Sequence, residues 1–209
     1  GRGFLLDFSP EINYHKHYIN RYAFLFNEYI GNKYVYLPEL SLRYTGQKTF
    51  QFDNSHKTIA LYLGGENKEF RKYPDEYAVQ LLRLLNRQGY NLLLIGDEND
   101  NIKHTQYAEE ARIDHLINLT ARTTIEGFIN TIANVDLIIT IDSSALHIAA
   151  AVKTPFIALM GLSTSPTSTI LPKVPLGRIL KIENNLIREE DYIRNITPDL
   201  ILKTISELI

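Results

Sequence analysis

The feature that most constrains the fold is an alternation, from Thr58 onward, of short apolar runs with longer segments of helical periodicity. Several of the runs are apolar at nearly every position, which is typical of strands covered on both faces. Alternating strands and helices favour right-handed βαβ units, and we therefore predict an α/β domain with a doubly wound parallel sheet and helices on both faces. The predicted strands are Ile59–Leu63, Leu92–Ile95, Leu116–Leu119, Val135–Ile141, Phe156–Met160 and Ile179–Ile182, and the predicted helices are 75–88, 101–113, 124–134, 145–152 and 198–208.

Residues 1–57 have a different pattern and are rich in tyrosine and phenylalanine. Side chains spaced near 3.6 residues predict one amphipathic helix with an aromatic stripe over residues 15–30. Residues 34–44 contain Pro38 and show no clear period, which indicates an extended connector. We thus predict a short helical and extended segment, residues 1–57, ahead of the main domain, residues 58–209.

The composition argues against several classes of function. The 22 lysine and arginine residues nearly balance the 24 aspartate and glutamate residues, for a formal net charge of −2. So small a net charge argues against a nucleic-acid partner. The chain contains no cysteine, which removes disulfides, thiolate metal sites and cysteine nucleophiles. No apolar run approaches the ~20 residues of a transmembrane helix, so no integral membrane segment is predicted.

Small, hydroxylated and acidic residues collect at the ends of four predicted strands. Because ligands of an open parallel sheet bind outside the carboxyl ends of its strands, these positions are candidate site residues. The strongest candidate is the segment 142–147, Asp-Ser-Ser-Ala-Leu-His, which follows a buried strand and begins a helix. Free N–H groups at such a helix start attract an anion, and His147 would add a ring donor. The alternative, weighed about equally, is that Asp142 and Ser143 only cap the helix and that His147 packs.

A second candidate is the basic segment ahead of Pro74, where Lys68, Arg71 and Lys72 follow the first strand. Proline is favoured at a helix start, so Pro74 marks a helix boundary. Arg71 or Lys72 could neutralise a diphosphate, although a solvated run of charges is the commoner reason for such a segment. The chain has no GxGxxG, GxxxxGK[ST], HExxH or GxSxG motif, which argues against the ordinary dinucleotide, P-loop, zincin and α/β-hydrolase classes.

The order of these segments resembles a known family. A strand is followed by a basic-Tyr-Pro turn that opens a helix, then by a strand ending in Gly-x-Glu and by Asn-Leu-Thr near a Thr-Thr helix start. The run from Val135 to Gly161 contains Asp-Ser-x-x-x-His-x-Ala-Ala and Thr-Pro. In this order, over about residues 58–170, the motifs resemble the C-terminal, nucleotide-sugar-binding half of the ADP-heptose:lipopolysaccharide heptosyltransferases, which are GT-B enzymes of glycosyltransferase family 9.

The resemblance implies a Rossmann-like fold and a role for each candidate residue. Asp142 would face the donor sugar. Ser143, Ser144, the following backbone amides and His147 would bind the diphosphate from the helix start. The cations Arg71 and Lys72 would lie near the same diphosphate. Two residues are assigned to the nucleoside, Glu98 at the ribose hydroxyls and Thr120 after the third strand.

The reaction implied by the resemblance is the inverting transfer of heptose from ADP-heptose to the lipopolysaccharide core, without metal or cofactor. It would take place in the cytoplasm, either free or peripherally at the inner membrane. This chain would supply the donor-binding half, and residues 1–57 would be a remnant of the N-terminal half with its connector. The N-terminal half would hold the acceptor site and the catalytic base, so no catalytic residue is assigned. Two alternatives stay open, a non-catalytic nucleotide-binding module and another GT-B-like enzyme such as a UDP-sugar epimerase.

Overall fold

A computed structural model of the chain describes residues 24–25, 27–31, 41–64, 72–161, 171–172, 174–181 and 189–209. The chain divides into two compact units, Gly1–Glu39 with Thr164–Leu171, and Leu40–Ser163 with Pro172–Ile209. In the first unit, residues 24, 25 and 27–30 are helical, within the helix predicted over 15–30, whose other residues lie outside the described ranges. The second unit holds the sheet.

Six parallel strands form one sheet in the order β3-β2-β1-β4-β5-β6. This order runs outward from β1 in one direction, returns to its other side and runs outward again, as in doubly wound folds. The predicted α/β class is thereby confirmed. The strands are β1 Thr58–Tyr62, β2 Asn91–Leu94, β3 Leu116–Asn118, β4 Leu137–Ile141, β5 Phe156–Leu159 and β6 Gly177–Leu180.

Helices connect the strands. They are α1 Asp75–Arg87, α2 Asn101–Ala111, α3 Ile125–Ala133, α4 Ser144–Val152 and α5 Pro198–Ile205, with short 3-10 turns at Glu98–Asp100 and Glu189–Asn195. Helix α1 packs against α2 and α5, whereas α3 packs against α4. Because right-handed crossovers that travel in opposite directions along a sheet lie on opposite faces, α1 and α2 cover one face and α4 covers the other. The four inner strands are accordingly buried at every position, as their apolar sequences predicted.

Most predicted boundaries lie within one residue of the observed ones, but α5 ends at Ile205 and not at 208. Strand β4, helix α2 and strand β6 also differ, each by two residues. Strand β4 begins at Leu137 and not at Val135, because the carboxylate of Asp136 is used to accept the Thr58 N–H at 2.8 Å. Helix α2 ends at Ala111, two residues early, because Arg112 takes a left-handed conformation with φ of 53°. Strand β6 begins at Gly177, two residues before its predicted start. It lies at the edge of the sheet and two of its four residues are exposed, so its sequence lacks the continuous apolar run that marks the inner strands.

Residues 41–57, ahead of β1, form no helix or strand, and polar contacts attach them to α3. The Gly46 N–H donates to Asn130 Oδ1 at 3.1 Å, and Asn130 Nδ2 donates to Thr45 Oγ1 at 2.8 Å. The hydroxyls of Thr49 and Thr131 lie 2.6 Å apart. Asn130 and Thr131 are buried, so these bonds satisfy polar groups that would otherwise be costly in the interior.

Gly177 on β6 allows close contact with the Phe156 ring on β5. A Cβ at Gly177 would lie 2.2 Å from Phe156 Cζ, and the ring is buried. We expect Gly177→Ala to lower the free energy of unfolding by about 1–3 kcal/mol, the usual cost of overpacking. Urea denaturation measures this difference.

The matched control is Gly127→Ala in α3, where the nearest heavy atom to an added Cβ is 3.4 Å away. Alanine there should raise the free energy of unfolding by about 0.5–1 kcal/mol, because glycine is unfavourable inside a helix. Equal effects at the two positions would contradict the close packing of Gly177 on Phe156.

Candidate functional site

The carboxyl ends of β1 and β4 are neighbours at the point where the strand order reverses. The parallel register pairs Tyr62 with Thr140, so Gly64 comes level with Asp142 two residues later. On the other side of β1, the N–H of Ala121, next to Thr120, donates to the Gly96 carbonyl at 3.1 Å. Neighbouring strands are about 4.8 Å apart, so the edge from Asp142 to Thr120 spans roughly 14 Å. This edge is where an open parallel sheet binds its ligand.

The turn after β4 begins helix α4 without a side-chain cap. Ser143 occupies the N-cap position in an extended conformation, but its side chain makes no capping hydrogen bond. Its Oγ instead lies 2.9 Å from Thr140 Oγ1. The alternative that Ser143 simply caps the helix is therefore not what the structure shows. The first N–H groups of α4 keep their capacity to bind an anion.

The other residues of this turn face outward to different degrees. Asp142 is half-buried and Ser144 is exposed. Within the described ranges, the Asp142 carboxylate makes no hydrogen bond or ion pair with another side chain or with the backbone. His147 is exposed in the second half of the first turn of α4. Three of the predicted residues thus lie together at the end of β4, with His147 one turn away.

A cavity of about 210 Å³ lies at the carboxyl end of β1, and its described lining contains no residue of the turn after β4. Helix α1 begins at one side of it and the Glu98–Asp100 turn lies at another. Lys72, a predicted diphosphate residue, lines the cavity, whereas Arg71 lies outside the described residues. The lining combines both charges, and its polar members include Lys72, Asp75, Asn99, Asp100, Lys103 and Tyr107.

Asp100 is the carboxylate of the Glu98–Asp100 turn that lines the cavity. The residue is only 6% exposed, and its carboxylate accepts the Asp97 N–H at 3.3 Å in a capping box. A Cβ added to Gly64 would lie 1.8 Å from Asp100 Oδ1, and one added to Gly96 would lie 2.7 Å from Oδ2. The glycines at two neighbouring strand ends therefore make room for this side chain, which was not among the residues predicted from sequence. The glycines after the first two strands, Gly64 and Gly96, were the sequence feature that could have indicated a side chain packed against both strand ends.

Glu98, the predicted ribose residue, is exposed in the same turn and is not part of the cavity lining. Thr120, predicted at the nucleoside, is completely buried, and its Oγ1 lies 2.7 Å from His104 Nδ1. Its hydroxyl is thus engaged inside the protein. The roles of both residues at a nucleoside stay predictions.

Asp75, the first residue of α1, holds two residues of α2 at the wall of the cavity. Its carboxylate accepts hydrogen bonds from Lys103 Nζ and from the Tyr107 hydroxyl. Burial alone would raise the pKa of Asp75, but the bonds from Lys103 and Tyr107 and the charges of Lys103 and Lys72 outweigh it and lower the pKa. The carboxylate therefore stays ionised and fixes the α2 side of the cavity.

Comparison with known proteins gives one consistent result. The family model described as glycosyltransferase family 9 (heptosyltransferase) matches residues 4–190, a wider span than the motifs in residues 58–170. Lipooligosaccharide heptosyltransferase 2 of Haemophilus influenzae is 31% identical over 158 residues, which cover 70% of this chain and 45% of that protein. The chain therefore spans less than half the length of this relative.

Two solved structures share the fold over nearly the whole chain. A family 9 glycosyltransferase of Veillonella parvula is 17% identical with a TM-score of 0.78, and the match covers 95% of this chain and 62% of that one. An Escherichia coli heptosyltransferase solved with ADP is 15% identical with a TM-score of 0.71, and the match covers 99% and 61%. At these identities the likeness shows the fold alone.

The described ranges contain neither a membrane-spanning helix nor a cluster of metal ligands. No helix there is long and apolar enough to cross a membrane. No group of three or more histidine, aspartate or glutamate side chains in those ranges could hold a metal ion.

His104 links the site to the stability of the domain. Burial lowers the pKa of its imidazole to about 4, against a smaller opposing effect of the Asp97 charge. In the unfolded chain the His104 imidazole binds a proton with the ordinary pKa of about 6.5. Because the folded state binds that proton only near pH 4, the free energy of unfolding should fall by about 3 kcal/mol as the pH falls from about 6.5 to about 4. Urea denaturation at pH 7 and pH 4.5 measures most of this fall.

His104→Asn should remove this part of the pH dependence, because asparagine does not titrate and can still bond to Thr120. The control is His115→Asn at an exposed position, which should keep the wild-type profile. The same pH dependence in His104→Asn as in the wild type would contradict the assignment.

Proposed function

The chain belongs to glycosyltransferase family 9, and we propose that it is the donor-binding part of a heptosyltransferase that uses ADP-heptose. The observation that carries this proposal is the turn after β4. There an uncapped helix start and the Asp142 carboxylate, which has no partner among the described residues, lie together at the reversal of the strand order. Such a turn offers N–H donors to a diphosphate and an acceptor to sugar hydroxyls.

The donor would lie along the carboxyl edge of the sheet. The diphosphate would bind the first N–H groups of α4, and the heptose would lie beside Asp142. The nucleoside would extend past Gly64 toward Gly96 and Thr120, a distance of roughly 14 Å at the usual strand spacing. We keep Glu98 as the predicted ribose residue and propose Asp100 as a second carboxylate near the ribose, because Asp100 is buried and lines the cavity at the end of β1.

The chemistry that follows is stabilisation of the departing diphosphate. Breaking the bond to heptose leaves negative charge on ADP, which fixed N–H groups and nearby cations stabilise more than they stabilise the donor. Lys72 lines the cavity at the end of β1, and Arg71 precedes it in the chain. These residues hold the leaving group and need no proton transfer.

The complete reaction is also a proposal, because the chain spans less than half of its curated relative. We assign the acceptor, the lipopolysaccharide core, and the catalytic base to protein outside the donor-binding part. The cytoplasmic face of the inner membrane stays the predicted location. The names of the relatives favour a heptosyltransferase over a UDP-sugar epimerase, and binding experiments separate an ADP-heptose site from a module that binds no donor.

The first test is Lys72→Ala, with titration calorimetry of ADP and of adenosine. A charge-assisted hydrogen bond contributes about 1.5–3 kcal/mol, so the affinity for ADP should fall by roughly 10- to 150-fold. Adenosine lacks the diphosphate and should bind with unchanged affinity.

Lys57→Ala is the matched control, because Lys57 precedes β1 at the opposite end of the strand, where its Nζ donates to the Ile209 carbonyl at 2.9 Å. It should bind ADP like the wild type. Equal losses for ADP and adenosine in Lys72→Ala, or no binding of ADP by the wild type, would refute the donor site.

A separate prediction concerns the sugar. Asp142→Asn should preserve folding and the affinity for ADP, because asparagine is uncharged and similar in shape. It should lose the wild-type preference for ADP-heptose over ADP, since the acceptor for the sugar hydroxyls is weakened. Calorimetric titration with both ligands measures the preference, and an unchanged preference would remove Asp142 from the sugar site.

A further inference from the structure

We propose that Thr140 is a positioning residue for the donor diphosphate, because its hydroxyl holds the Ser143 hydroxyl inward and prevents Ser143 from capping α4. The inference rests on the proposed function, which assigns the diphosphate to the start of α4. It adds a residue that contacts no ligand and that decides whether the N–H groups of the helix are available.

The hydrogen-bond directions follow from the two contacts of Thr140. Thr140 lies in β4 and is completely buried, and its Oγ1 donates to the Ile141 carbonyl at 3.0 Å. A carbonyl can only accept, and a hydroxyl has one hydrogen to give. The second contact, 2.9 Å to Ser143 Oγ, is therefore satisfied when Ser143 donates its hydrogen to Thr140.

Two other helices in the chain show what a hydroxyl N-cap does without this restraint. Thr124 Oγ1 accepts the Gly127 N–H at 3.1 Å at the start of α3, and Thr197 Oγ1 accepts the Leu200 N–H at 3.3 Å at the start of α5. Three residues before these caps stand Ala121 and Arg194, which carry no hydroxyl group. Ser143 has Thr140 at the corresponding position and does not cap.

The consequence is a helix start that is open to an anion. A serine cap would place an oxygen on the N–H of the second or third residue of α4, the same groups that a diphosphate oxygen would use. With its hydrogen donated to Thr140, the Ser143 hydroxyl also offers a phosphate no donor. The diphosphate contacts of this turn are thus backbone contacts, and the neighbouring Asp142 carboxylate, unpartnered in the described ranges, marks the sugar side.

The test is a variant in which Ser143 is released. Thr140→Val keeps the shape of the side chain and removes the hydroxyl, so Ser143 should cap α4. An N-cap contributes about 1 kcal/mol, which corresponds to a roughly fivefold loss of ADP affinity. Adenosine should bind as before. Amide hydrogen exchange should slow at Ala145 and Leu146, the N–H groups that the new cap would protect.

The same substitution in a Ser143→Ala background separates positioning from a structural effect. Alanine cannot cap, so Thr140→Val should change neither ADP affinity nor amide exchange relative to Ser143→Ala alone. Thr154→Val is the matched control, because this buried threonine also donates to a carbonyl, that of Ile132 at 2.8 Å, away from the turn. It should leave ADP affinity unchanged.

Each result decides the inference. A loss of ADP affinity that appears equally in both backgrounds, or no loss in either, overturns it. Unchanged exchange at Ala145 and Leu146 in Thr140→Val also overturns it, and this readout needs no ligand. If the wild type binds no ADP, the proposed function fails, and the exchange experiment alone then decides whether Thr140 controls the cap.

Discussion

The pairing of β1 with β4 is the interaction on which the site depends. The two strands are neighbours in the sheet although β2 and β3 lie between them in the chain. The helix that follows β1 and the helix that follows β4 lie on opposite faces, so the two connections separate where they leave the sheet. That separation creates the crevice in which a sheet of this kind binds its ligand. The residues proposed to hold the donor lie along the carboxyl edge of the sheet, at positions set by their distance from the ends of β1 and β4.

Hydrogen bonds within the protein at this carboxyl edge then determine which side chains are available to a ligand in the crevice. Thr120 is turned inward to His104, Asp75 holds Lys103 and Tyr107, and Ser143 is turned to Thr140. Asp142 has no such partner among the described residues and keeps its carboxylate available. Polar residues at a strand end thus divide into those that build the edge and those that can meet a ligand.

The sequence predicted the parts that depend on local pattern. Continuous apolar runs marked the inner strands, because both of their faces are covered, and the residues after β4 were recognised as a helix start. Edge strand β6 was misplaced because half of its positions are exposed. The burial of Asp100 could not be predicted from sequence, since it depends on the space left by Gly64 on a different strand. The orientation of the Ser143 hydroxyl could not be predicted from sequence either, because it depends on the hydrogen bond with the buried Thr140.

The long-range bond between Thr58 and Asp136 has a consequence for how the chain is made. The N–H at the start of β1 is satisfied by a carboxylate 78 positions later in the sequence. On the ribosome, β1 can pair with β2 soon after both emerge, but its other edge stays unpaired until β4 has been synthesised. An unpaired, fully apolar strand edge is prone to association with other chains. One edge of β1 is therefore open to association with other chains until β4 has emerged.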